Sequence, residues 1–267
     1  MSYASHLRYL LSQLNFEYAK KNKLRFHESR GSVILYEPSA EGHGNFFPPS
    51  YDAILASPEW RTRLAKAHTA KKNLPRREDG SWCELDSSCS SDALLMNVFC
   101  YTKTLTAPAV LSLLSLAEPA EPIFGYKAKV PLKDNKFDRT EVDMRIGDLL
   151  VEAKLTESDF QTKPVTLMER YRHFGDVFYK RLLPKAGDRY RSYQLIRNVL
   201  CAHATGLRFC VLLDARRPDL TEQWHTVQRA IKLYELRTRC LVLTWQELAQ
   251  ALPPALKRFL NTKYAID

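Results

Sequence analysis

The chain has 267 residues, 45% of them hydrophobic and 26% charged, which fits one large or two small globular domains and excludes wholesale disorder. Its 40 Lys+Arg against 30 Asp+Glu leave a formal charge of +10, an excess that favours a polyanionic partner such as nucleic acid. No run reaches the roughly 18 apolar residues of a membrane span, and the opening segment lacks a basic-then-apolar secretion signal. Six cysteines without a CxxC pair read as reduced thiols of a cytoplasmic protein.

In chain order, Leu7, Leu10, Leu11 and Leu14 predict a helix over residues 2–20, and a strand is expected at 32–36. The glycines and paired prolines of 41–51 predict an irregular stretch, residues 52–73 read as a helix with a basic outer face, and 74–81 reads as the linker. These elements make 1–80 an N-terminal helical extension and 81–267 the main domain. Serines at 87–91 offer N-caps for an amphipathic helix through Phe99, and a second helical segment covers 108–117. Strands are expected at 123–131, 140–146 and 148–155, followed by a basic helix at 187–204. The apolar run 207–215 suits a buried parallel strand. A helix at 219–236, a strand at 239–245 and a helix at 246–260 complete an α/β chain with a mixed sheet.

The segment 140–157 carries the chemistry. Gly147-Asp148 suits a two-residue type II′ turn, so positions whose numbers sum to 295 face each other across a hairpin. Asp143 then faces Glu152, Glu141 faces Lys154 and Arg145 faces Leu150. The other face holds Val142, Met144, Ile146, Leu149, Val151, Ala153 and Leu155, and a one-residue slip would bury the charges. Opposed Cβ atoms sit ~4.5–5.5 Å apart, so Asp143 and Glu152 repel unless a cation lies between them. A solvated face with Glu–Lys pairs is the plain alternative.

This D…E-x-K hairpin, with a helix and strand before it and a helix and strand after it, resembles the PD-(D/E)XK nuclease superfamily, the fold of restriction endonucleases. The likeness covers roughly residues 84–215, and the segments 84–99 and 193–198 resemble a bacterial branch of that superfamily. The sequence departs from the pattern in having Val142, not proline, before Asp143. The resemblance implies a restriction-endonuclease-like core, a mixed central β-sheet flanked by helices. It implies Asp143, Glu152 and the main-chain carbonyl of Ala153 as Mg²⁺ ligands, with Mn²⁺ able to substitute, and Lys154 as the catalytic lysine. It also implies an active-site role for Gln194, against which stands a polar helix surface. Physical chemistry agrees with that donor set. Mg²⁺ takes oxygen ligands and keeps several waters, and a lysine beside it can orient or deprotonate the attacking water.

The remaining candidates divide between chemistry and plain structure. Glu141 either pairs with Lys154 or ligates a second metal. Asp86 and Ser87 read as helix caps, which leaves Glu84 as the favoured outer metal ligand, and His43 is a phosphate or metal contact or a structural histidine. Lys185, Arg189 and Arg191, interleaved with tyrosines, suit phosphate tracking, with Arg197 beside them. No phosphate-cradling P-loop, dinucleotide-binding glycine fingerprint or serine nucleophile elbow is present in the sequence. The expected protein is a metal-dependent endonuclease acting on double-stranded DNA, with a homodimer among the assemblies it allows. The rival readings are an RNA-processing or DNA-repair nuclease and a non-cleaving nucleic-acid-binding module.

Overall fold

The computed structural model describes residues 2–39, 42–68, 74–77 and 80–267. The chain divides elsewhere than at 80/81: one unit comprises Met1–Pro122 with Trp245–Asp267, and the other is Ile123–Thr244. The cause is a long-range closure, because the helix Pro254–Tyr264 packs on the first helix of the chain. Residues 78 and 79 of the expected linker lie outside the described residues. No described helix is long and apolar enough to cross a membrane.

In the first unit, α1 (Tyr3–Lys21) starts where the Ser2 hydroxyl accepts the Ser5 N–H at 3.2 Å, and it buries Leu7 and Leu11. The expected strand is Ile34–Tyr36, antiparallel to Phe26–Glu28. The paired prolines do not forbid regular structure. They begin α2 (Pro48–Ala56), since a proline at the first helical position gives up only an N–H that has no intrahelical partner anyway. The helix expected over 52–73 is broken at Ser57-Pro58, where Ser57 Oγ accepts the Trp60 N–H at 3.3 Å and caps a separate turn, Pro58–Arg61. Residues 69–73 of that expected helix lie outside the described residues. α3 (Ser91–Phe99) is capped by Ser90, whose hydroxyl accepts the Ala93 N–H at 3.2 Å, and all nine of its residues are buried.

The closing helix Pro254–Tyr264 carries Lys263, whose side chain is wholly buried. Its Nζ donates to the Gly44 carbonyl at 2.8 Å and to Asn45 Oδ1 at 3.1 Å, 4.2 Å from the centre of the Tyr36 ring. The rings of Tyr18, Phe259 and Tyr264 complete the cage. Burial pushes the Lys263 ammonium well below its ordinary pKa. Gly44 is required there, because a Cβ would stand 2.4 Å from Tyr36 Cδ1. Pro253-Pro254 separates this helix from Trp245–Ala251, so the single helix expected at 246–260 is two.

The second unit holds the mixed sheet that the alternation predicted. Its strands are β1 (Pro122–Lys127), β2 (Glu141–Ile146), β3 (Leu149–Ala153), β4 (Arg208–Leu213) and β5 (Cys240–Thr244), in the spatial order β5-β4-β3-β2-β1. β2 and β3 form the antiparallel hairpin, while β4 runs parallel to both β3 and β5. The helix α4 (Tyr193–Thr205) packs on β3 and β4, and α5 (Pro218–Arg229) packs on β4 and β5. Leu195, Ile196 and Val199 of α4 share one buried cluster with Leu150, Phe209, Val211 and Trp224.

α4 begins six residues later than the 187–204 expectation. Residues 185–190 instead form a tight ribbon, Lys185–Ala186 against Arg189–Tyr190, turned by Gly187 at φ 58°. The α5 helix likewise ends at Arg229, before a separate short helix at Tyr234–Thr238.

Candidate functional site

The hairpin turn has the geometry its residues predict. Gly147 takes a positive φ of 54° and Asp148 does not, as a type II′ turn requires. The ladder pairs Met144 with Val151, Arg145 with Leu150 and Ile146 with Leu149, which is the expected register. At the open end of the hairpin, Asp143 turns its carboxylate onto the neighbouring backbone, and Oδ2 accepts the Ala153 N–H at 2.9 Å.

The charged face is not a solvated one. β3 is the central strand of five and all of its residues are buried; Glu152 is 1% exposed and Lys154, just past its end, 5%. Lys154 Nζ donates to Glu152 Oε1 at 2.6 Å. Burial alone would lower the lysine pKa, but Glu152, Asp143 and Glu157 together hold it above its ordinary value. Three carboxylates thus favour its charged form, with Glu152 in direct contact.

Two supports hold this nest in place. Glu157, absent from the sequence reading, accepts the Leu155 N–H at 2.7 Å through Oε2. The wholly buried Arg217 clamps the same segment by donating to the carbonyls of Leu155 (3.2 Å) and Glu157 (2.7 Å) while its guanidinium pairs with Asp219.

α4 supplies the partner for the other Glu152 oxygen, and it is not Gln194. Asn198 Nδ2 donates to Glu152 Oε2 at 2.8 Å. Gln194 is half-buried one helical turn earlier on the same side of α4. The available signal was that four-residue spacing.

Arg197 is corrected from a phosphate contact to a buried structural residue. It is 1% exposed, with Nε donating to Asp138 Oδ2 at 3.0 Å, one amino group donating to Asn198 Oδ1 at 2.9 Å, and the other bonded to the Thr140 carbonyl. A guanidinium so enclosed cannot reach a solvent-side phosphate. Burial would raise Asp138, but hydrogen bonds from Thr140 and the Arg197 charge keep its pKa below the usual carboxylate value.

Glu141 is exposed and pairs with Lys127 at 3.6 Å. Lys185, Arg189 and Arg191 are all exposed on the 185–191 segment, with Lys185 over the Tyr190 ring at 4.7 Å and Arg189 donating to the Thr162 carbonyl at 3.1 Å. Glu84 lies in the first unit, 3.9 Å from His68.

His43, also in the first unit, is buried and structural. Its Nδ1 accepts the Asn45 N–H at 3.1 Å, so Nε2 carries the proton and donates to Asp86 Oδ1, also at 3.1 Å. Burial keeps its pKa low despite that carboxylate. Both ring nitrogens are thus taken, which removes it as a metal or phosphate contact.

Among the described residues no group of three or more His, Cys, Asp or Glu side chains is gathered as for a metal ion. The hairpin offers two carboxylates and backbone oxygen, a hard-donor set without imidazole or thiolate. A family model described as restriction endonuclease associating with ARP matches residues 18–265. No curated protein and no solved structure matches the chain.

Proposed function

The chain belongs to this restriction-endonuclease family, and from that premise we propose that it is a Mg²⁺-dependent nuclease of the PD-(D/E)XK type acting on double-stranded DNA. The observation that carries this reading is a buried Lys154 bonded to Glu152, with Asp143 on the Ala153 N–H between them, at the open end of the hairpin. An ion pair buried in a central strand is expensive to desolvate and contributes little net stability, so its retention calls for another reason.

The donors fit Mg²⁺, which takes carboxylate, carbonyl and water oxygens and tolerates few protein ligands. Asp143, Glu152 and the Ala153 carbonyl would hold it, and when bound it polarises a phosphate oxygen and lowers the pKa of a bound water. Lys154 supplies the positive charge that the chain itself brings to the site. Bonded to Glu152, it is placed to orient a nucleophile and to stabilise developing negative charge. Lys185, Arg189 and Arg191 suit backbone phosphates, which fix position without reading sequence.

The test is cleavage of plasmid, single-stranded DNA and RNA with Mg²⁺, Mn²⁺ or EDTA. Metal-dependent nicking or linearisation of plasmid is expected. Cleavage of RNA alone would move the substrate, and no cleavage of any of the three would overturn the reading.

A further inference from the structure

We propose that Asn198 is a positioning residue for Glu152, and that Arg197 and Asp138 set which way its amide points. The inference rests on the nuclease reading for its consequence but on geometry for its content. A primary amide presents a donor at one end and an acceptor at the other, and either end fits the same pocket. Arg197 removes that freedom, because a guanidinium only donates. Its bond to Asn198 Oδ1 at 2.9 Å leaves Nδ2 directed at Glu152 Oε2, at 2.8 Å.

Arg197 is fixed in turn by Asp138 at 3.0 Å and by the Thr140 carbonyl. Asp138 also accepts the Tyr171 hydroxyl at 2.8 Å, and Tyr171 meets the Tyr193 hydroxyl at 3.1 Å. A chain of polar contacts, buried at its Asn198–Glu152 end, therefore runs from Tyr171 through Asp138, Arg197 and Asn198 to Glu152. With Asn198 on Oε2 and Lys154 on Oε1, the Glu152 carboxylate is held in one orientation. Residues outside a ligand shell that orient a ligating carboxylate typically contribute 10–100-fold to metal affinity.

The experiment compares Mn²⁺ affinity, by titration calorimetry, for wild type, Asn198→Ala, Asp138→Asn and the double variant. Asn198→Ala is expected to weaken binding about 10–100-fold and Asp138→Asn by less. The double variant is expected to be no weaker than Asn198→Ala alone, because Asp138 acts through Asn198. Additive losses, or wild-type affinity in Asn198→Ala, would overturn the proposal. Asn198→Ser replaces the alanine variant if that one does not fold, with the same expected direction.

A wild type that binds no Mn²⁺ would sink the metal reading alone. The aim of Asn198 is then decided in the metal-free protein by its side-chain amide resonance, which Glu152→Gln and Asp138→Asn must each shift. An unmoved resonance would overturn the proposal.

Discussion

Lys154 and Lys263 are both buried lysines, 5% and 0% exposed, and their surroundings drive them in opposite directions. Lys154 is ringed by Glu152, Asp143 and Glu157, which raise its pKa, while Lys263 meets a carbonyl, an amide oxygen and four aromatic rings, and burial lowers its own. The difference lies in who supplies the counter-charge. Around Lys263 neutral dipoles and ring faces do the work, an arrangement suited to holding two segments together. Around Lys154 the charges outnumber what one ammonium needs for packing, as in a site built to meet further charge.

The largest expected effect is at Lys154. Substituting Lys154→Met keeps volume but strands buried carboxylates, so stability should fall by about 3–5 kcal/mol in urea unfolding at neutral pH. Cleavage should fall by at least ~100-fold in the plasmid assay. A variant that unfolds like wild type would put Lys154 in the same class as Lys263.

Next comes Asp143→Ala. It should remove the rise in melting temperature that Mn²⁺ gives wild type, since a ligand that binds only the folded state stabilises it by mass action. A thermal scan with and without Mn²⁺ reads this, and an undiminished rise would take Asp143 out of the metal set.

Lys263 sharpens the contrast through pH. Its folded pKa lies below its unfolded value of about 10.4. Between those two values the unfolded chain binds more protons, so this group makes stability increase with pH, by up to about 1.4 kcal/mol per pH unit. Lys154, shifted the other way, contributes stability that is fully present below its unfolded pKa and is lost only as pH rises through the raised folded one. Urea unfolding at pH 7 and 9.5 should therefore show a rise in wild type that Lys263→Met lacks. Equal rises in both proteins would mean that the cage keeps Lys263 charged.

The smallest effect on the fold is expected at the exposed ribbon. Arg189→Glu with Arg191→Glu should leave stability within about 0.5 kcal/mol. Duplex-DNA binding should weaken across all sequences, with the salt slope of log K reduced by about 2. An unchanged slope in a fluorescence titration would move the phosphate contacts elsewhere.

The hairpin was legible because two local signals agree: a Gly-Asp turn and an apolar alternation that only one register satisfies. Burial of its polar face was not, since a strand's own alternation does not say whether that face meets solvent or another element. That cover comes from the later part of the chain, where the helix Tyr193–Thr205 packs on β3. Asn198 was hidden for a related reason. An amide on a helix reads as solvent-facing, and its partner lies 46 residues away. Arg197 misled because charge at a helical position carries no mark of the Asp138 that encloses it. The start of α2 was missed because proline's two effects, breaking a helix and beginning one, look alike until the following residues are placed.

The insertion of Ile123–Thr244 between two parts of one unit has a consequence for synthesis. Residues 1–122 leave the ribosome without the helix whose Lys263 ties Gly44 and Asn45 to the end of the chain. At about 5–20 residues per second the 122 residues of the inserted unit take roughly 6–25 s to make, and its host waits that long for the closing helix. β1 and β5, through which the chain enters and leaves the sheet, lie on its opposite edges, so the nascent sheet is complete only when β5 has emerged. The inserted unit is thus translated whole before Trp245–Asp267 is available to close the other.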